Sequence, residues 1–149
     1  IIHRIKYEGC PFLADDLAHA ALADAVFRRH LAGSVLVPVP LHPARRRDRG
    51  YNHAERIAGR LAALTPGCRA EHLLRKRHET VSQTLLGRQE RRRNVAGAFD
   101  VVAGESVDPS LRYVVIDDVL TTGATLHACA VALREAGATL VDAAALCHG

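Results

Sequence analysis

Tyr113-Val-Val-Ile-Asp-Asp-Val-Leu-Thr-Thr-Gly-Ala-Thr-Leu126 decides the fold. Arg112–Ile116 reads as a strong strand, and its apolar run lacks the polar alternation of a half-exposed one. It fits a parallel sheet buried on both faces. The strand is expected to end at two carboxylates, Asp117 and Asp118. Thr121-Thr122-Gly123-Ala124-Thr125 then turns into a helix. Leu126, Cys129, Ala130 and Leu133 share one face of that helix, and Gly137 supplies its stop. Thr139–Leu146 follows as another apolar strand.

Upstream, Ser34-Val-Leu-Val-Pro-Val-Pro40 is short, β-branched and apolar, again a buried strand, with Pro38 and Pro40 assigned to its end and the following loop. Residues 11–31 carry Leu13, Leu17, Ala20, Ala21, Phe27 and Leu31 at helical spacing, so one helix is expected there, with Pro11 in its first turn. A second helix is expected over His53–Leu64, with Ala54, Ile57, Ala58, Leu61 and Leu64 inward. Asn52 is its candidate N-cap, and Glu55 stands close to capping-box spacing. Residues 70–74 and Ala98–Val102 are short or weak strands. The alternation of strands and helices predicts an α/β domain with a central parallel sheet of about five strands flanked by helices. Residues 1–149 form one domain, without repeats or an interdomain linker.

Composition agrees. The chain has 149 residues, of which 48% are apolar, 24% charged and 4% aromatic, with a net charge of +4. Such a chain holds a core and is not disordered. No apolar run approaches the ~18 residues of a membrane helix, and no secretory signal pattern is present. Cys10, Cys68, Cys129 and Cys147 form no CxxC pair, so reduced thiols and a cytoplasmic location are expected. The nine histidines include no H-x-x-x-H pair. There is no methionine, so the N-terminus reads as truncated. The basic residues are 18 Arg and 2 Lys, and residues 75–94 alone carry a net +5. A basic segment on a near-neutral body suits an anionic partner.

Ligands of open α/β sheets bind outside the carboxyl ends of the strands. There the quoted segment presents two carboxylates, several hydroxyls, one glycine and a helix N-terminus. Hydroxyls, backbone N–H groups and the helix end accommodate a phosphate, and the carboxylates accept from sugar hydroxyls or hold Mg²⁺. A ligand that is both ribose and phosphate fits. Neither a P-loop nor a G-x-G-x-x-G fingerprint occurs.

The segment resembles the signature of type I phosphoribosyltransferases, which bind 5-phosphoribosyl 1-pyrophosphate (PRPP). A narrower resemblance spans about Ile5 to Leu146. Val37-Pro-Val-Pro-Leu-His-Pro43, Arg49-Gly-Tyr-Asn52, Gln83 through Asn94, and Gly97-Ala-Phe99 are similar to the ComF family, linked to bacterial competence and DNA uptake. Longer members of that family carry an N-terminal zinc ribbon that this sequence lacks. The resemblance implies that Asp117 and Asp118 contact the ribose hydroxyls directly or through Mg²⁺, and that Thr121, Thr122, Gly123, Ala124 and Thr125 wrap the 5-phosphate. It places the pyrophosphate at Val39, Pro40, Leu41 and His42, with Arg45 or Arg49 adding charge. Residues 75–94 take the position of a closing loop, where Arg75, Arg77 and Arg88 are candidates to reach the pyrophosphate. Arg88 is counted with Asp117 and Asp118 as catalytic.

The implied reaction is transfer of the phosphoribosyl group to a nitrogen acceptor with release of pyrophosphate, Asp118 serving as candidate base. Two further readings stay open. One is a non-catalytic protein that kept the ligand site and handles single-stranded DNA through the Arg clusters 45–49 and 88–93, with Tyr7 and Tyr51 as stacking candidates. The other is a PRPP sensor. The acceptor is not named by any residue.

Overall fold

The computed structural model describes residues 12–41, 46, 50–77 and 97–149. Their centre is a parallel sheet of four strands in the order β2-β1-β5-β6. The strands are β1 (Val35–Pro38), β2 (Arg69–Ala70), β5 (Arg112–Leu120) and β6 (Leu140–His148). β1 and β5 pair in register from Val35 opposite Tyr113 to Pro38 opposite Ile116. Two further strands, β3 (Leu74–Lys76) and β4 (Phe99–Val101), form a separate antiparallel ribbon. The parallel sheet therefore has one strand fewer among the described residues than the sequence suggested; the strand expected over 70–74 is replaced by the end of β2 and the start of β3, and β3 pairs with the weak strand expected over 98–102.

Alternating side chains of β1 and β5 divide the core in two. Val35, Val37, Tyr113 and Val115 face the ribbon and helix α4 (Ala124–Glu135), which buries Leu126, Cys129 and Leu133 against them. Leu36, Val114 and Ile116 face α1 (Phe12–Leu22), α2 (Ala25–Leu31) and α3 (His53–Leu64). There Ala14, Ala18 and Leu22 of α1 meet Ile57, Ala58 and Leu61 of α3 at helical spacing. Burial of each large aliphatic side chain contributes roughly 1.5–3 kcal/mol. Both faces of β1 and of Tyr113–Ile116 in β5 are consequently buried, which explains the unbroken apolar runs.

The expected single helix over 11–31 is two. Asp24 lies between them, its carboxylate accepting from Val26 N (2.7 Å) and Phe27 N (3.1 Å) as the N-cap of α2. The capping bonds outweigh continuation of the Ala-rich pattern. β5 is also longer than expected. It runs through the acidic pair to Leu120, because its pairing with β6 extends to Leu120 opposite His148. No helix among the described residues is long and apolar enough to cross a membrane.

Candidate functional site

The carboxyl ends of β1 and β5 emerge side by side, and their loops form one rim of the sheet. Val39 N donates to Ile116 O at 2.9 Å, which holds the start of the β1 loop against β5 just before the acidic pair. Asn52 fixes the same loop from below. Its Nδ2 donates to Val39 O at 2.9 Å while its Oδ1 accepts from Ala54 N at 3.1 Å, capping α3. Asn52 is buried, so its two roles couple the helix to the loop. The capping role was legible from the sequence; the bond to Val39 was not, because it joins residues brought together only by the sheet.

Asp117 and Asp118 are half-buried. The Asp117 carboxylate accepts from Asp118 N at 2.9 Å, which sets its orientation. Because both lie within β5 and not after it, successive side chains take opposite faces. Asp117 shares the parity of Tyr113 and Val115, on the α4 side; Asp118 shares that of Val114 and Ile116, on the side of α1–α3. The Cys129 thiol agrees with the placement of Asp117, whereas Cys147, opposite Val119, does not report on the face of Asp118. Burial first, and the Asp117 carboxylate second, push the Cys129 thiol of α4 well above its ordinary range. Burial and then Asp118 raise the Cys147 thiol of β6. Cys68, Cys129 and Cys147 are unpaired.

Thr121–Gly123 connect β5 to α4. Gly123 takes φ 73°, ψ 0°, a left-handed conformation that turns the chain into the helix at its N-cap position. It supplies no side-chain cap. Thr122 Oγ1 accepts from Ala124 N at a long 3.4 Å. A helix end with so weak a cap carries partial positive charge toward the loop and favours an anion. A cavity of about 520 Å³ opens beside it, lined by Thr122, Gly123, Ala124, His127 and, from the ribbon, Phe99.

Thus the structure brings Asp117, Asp118 and Thr121–Thr125 together with Val39, Pro40 and Leu41 on one rim. His42, Arg45, Arg49, Arg88 and Tyr7 lie outside the described residues, as does most of the proposed closing loop. Arg75 and Arg77 lie on the ribbon, both bound to Asp100. The Tyr51 ring is engaged at an edge by His53 (centroids 4.8 Å) and by the Arg56 guanidinium at 5.9 Å.

Among the described residues no group of three or more His, Cys, Asp or Glu side chains is placed to hold a metal ion. The acidic pair offers two hard oxygen ligands only. On opposite faces of β5 the two carboxylates do not form one chelating set; each fits a Mg²⁺ ion only as a single hard ligand, the rest of the shell being substrate oxygens and water.

An α/β parallel sheet with an acidic pair and a hydroxyl-rich turn at the end of its central strand is the arrangement that the resemblance to type I phosphoribosyltransferases led one to expect. The whole-chain comparisons point to particular proteins. The chain is homologous to the competence protein F and YhgH proteins: it is 29% identical to competence protein F of Haemophilus influenzae over 141 residues, 92% of this chain and 62% of that protein. It is 30% identical to the DNA utilization protein YhgH of Escherichia coli O6:H1 over 154 residues, 99% of this chain and 66% of that protein. Competence protein ComFC of Bacillus subtilis matches at 33% over 106 residues, 69% of this chain and 39% of that protein. The chain thus spans slightly less than two-thirds of the length of the first two relatives. No family model matches. Among solved structures, a hypoxanthine phosphoribosyltransferase from Staphylococcus aureus aligns at TM-score 0.46 and 15% identity, covering 89% of this chain and 61% of that one. A structure described as the allosteric regulatory enzyme of purine biosynthesis aligns at 0.48 and 24%, covering 93% and 25%.

Proposed function

We propose that the chain binds PRPP with Mg²⁺ on the rim of β1 and β5 and transfers its phosphoribosyl group to a nitrogen acceptor. The observation that carries this reading is the convergence of the acidic pair, the Thr/Gly turn and the weakly capped N-terminus of α4 at the end of the central strand. In it Thr121–Thr125 enclose the 5-phosphate with hydroxyls and first-turn N–H groups. Asp117 and Asp118 accept from the ribose hydroxyls. The backbone of Val39–His42 receives the pyrophosphate, with Arg49 and Arg88 neutralising it as it leaves. Asp117 and Asp118 would each offer a carboxylate to Mg²⁺, which when bound would supply charge neutralisation at the pyrophosphate.

In the transfer the bond from ribose C1 to the pyrophosphate oxygen breaks, and its electron pair leaves with that oxygen. The acceptor nitrogen forms the new bond to C1 and gives up a proton, for which Asp118 is the assigned base. The names of the relatives favour a second reading, in which the same site is kept by a non-catalytic protein acting in competence and DNA uptake. Both readings need the site to bind PRPP. Calorimetric titration with PRPP and Mg²⁺ tests this: the Asp117→Asn, Asp118→Asn double variant is expected to bind at least about tenfold more weakly, two charge-assisted contacts being lost. Equal affinity sinks the reading. Pyrophosphate release across a panel of bases then separates enzyme from binding protein.

A further inference from the structure

The parallel sheet ends on two edges of different chemistry. One edge, β2, is two residues long, and its Arg69 forms an ion pair with Glu71 just beyond it. Shortness and charge are ordinary means of keeping an edge from pairing with another chain. The other edge, β6, lacks both. It runs nine residues, Leu-Val-Asp-Ala-Ala-Ala-Leu-Cys-His148, with no proline, glycine, lysine or arginine. Its inner side is in register with β5 from Arg112 opposite Leu140 to Leu120 opposite His148. Among the described residues no strand pairs with its outer side. Leu140 is 57% exposed, and Ala143 is exposed as well.

Two polar side chains interrupt the strand, and neither is fully partnered among the described residues. Arg112 donates to Asp142 Oδ2 from Nε (2.9 Å) and Nη2 (2.7 Å), which leaves Oδ1 open. His148 is exposed and has no side-chain partner there. The two stand six residues apart on one face of the sheet. A two-fold axis at Ala145 sets β6 antiparallel to β6 of a second copy. In that register Asp142 lies opposite His148 of the other copy, at both ends of the pair, and an imidazole N–H meets a carboxylate oxygen. Ala143 lies opposite Cys147, Ala144 opposite Leu146, and Ala145 opposite itself. Moving the axis to Ala144 sets Asp142 against Leu146, and moving it to Leu146 leaves Asp142 opposite no residue of the strand. The Ala145 register alone matches both polar groups and opposes no like charges. Self-complementarity of this kind is what a two-fold contact requires.

We propose that the outer edge of β6 is an interface for a second copy of this chain, paired antiparallel about Ala145 so that two four-stranded sheets become one of eight. The interface borders the rim, because Gly149 N donates to Leu120 O at 2.9 Å, just before the Thr/Gly turn. It does not depend on what the rim binds.

The test is sedimentation velocity over about a hundredfold range of protein concentration, where a monomer–dimer equilibrium is expected. Ala143→Lys puts a charge on the exposed edge and is expected to weaken the dimer at least about tenfold. Ala143→Thr, an uncharged strand former, is expected to keep it, which separates loss of pairing from loss of folding. The register has its own readout. Directly opposite residues are close enough for a disulfide, whereas residues 143 and 147 of one strand are about 13 Å apart. Ala143→Cys oxidised with diamide is therefore expected to give a covalent dimer on non-reducing electrophoresis, and adding Cys147→Ser is expected to abolish it. A monomer at every concentration, which is the result if another part of the chain lies on this edge, overturns the proposal. So does a dimer that Ala143→Lys leaves unchanged, or one in which Ala143→Cys forms no cross-link through Cys147.

Discussion

Gly123 and Asn52 carry more of the site than their size suggests. Gly123 bends the chain in a left-handed conformation that side chains disfavour by about 1–2 kcal/mol. A Cβ there would meet only Leu120 Cδ1 at 3.6 Å, an ordinary contact, so the cost of Gly123→Ala is conformational and not steric. The variant is expected to lose that amount in urea denaturation and to bind PRPP more weakly, because the turn that aims α4 at the ligand relaxes. Asn52→Ala removes an N-cap and leaves the buried Val39 carbonyl without its donor. A loss of about 2–3 kcal/mol is expected. Asp117 and Asp118 should also separate. Asp117 shares the sheet face of α4, whose N-terminus follows the Thr/Gly turn of the proposed phosphate site, so Asp117→Asn is expected mainly to raise the dissociation constant. Asp118, the assigned base on the other face, should lower turnover more than affinity; identical effects of the two variants would argue against the division by parity.

At the scale of elements, the β3–β4 ribbon is set by one carboxylate. The hydrogen bond from Arg75, ahead of that from Arg77, lowers the pKa of Asp100 to about 2 from the ordinary 3.8. A depressed carboxylate pKa contributes stability above its unfolded value, and the contribution disappears as pH falls through the folded value. The clamp is therefore complete above about pH 4 and lost toward pH 2, with a modest energy because both arginines are solvated. Carboxyl-carbon NMR checks this: in the Arg75→Gln, Arg77→Gln variant Asp100 should titrate near its ordinary value. The ribbon also shows what the sequence withholds. β1, α3, α4 and β6 were legible, since each is a local pattern of apolar spacing with a capping or breaking residue at its end. The pairing of Arg75 with Asp100 joins strands separated by more than twenty residues, and no local periodicity encodes it. The continuation of β5 through Asp117 and Asp118 was missed for a related reason. Two adjacent carboxylates read as a strand end, whereas the partner strand β6 keeps them in the ladder. The Asn52 cap and the turn at Gly123 were readable because a residue type and its position in the chain already imply the turn. Glu55 of α3, His72 of the segment between β2 and β3 and Asp100 of β4 line one cavity, and nothing in their spacing assigns them to it.

At the scale of the whole molecule, the rim is attached to both halves of the core. β5 contributes Tyr113 and Val115 to the α4 face and Val114 and Ile116 to the face of α1–α3. Its carboxyl end carries the acidic pair, and the Thr121–Gly123 turn joins it to α4. Global unfolding must then dismantle the ligand site, and a ligand that binds only the folded chain must stabilise all of it. Mass action sets the size: at one hundred times the dissociation constant, PRPP with Mg²⁺ should add about 2.7 kcal/mol. For a chain of this length that corresponds to a rise in melting temperature of about 5–10 °C. The Asp117→Asn, Asp118→Asn variant should show little of this rise at the same concentration. Thermal melting reads binding without requiring an acceptor. A full rise in melting temperature together with no pyrophosphate release from any base would favour the non-catalytic reading in competence and DNA uptake. A rise accompanied by release with one base would establish the transferase and identify its acceptor. No rise at saturating concentration would remove PRPP from both readings at once.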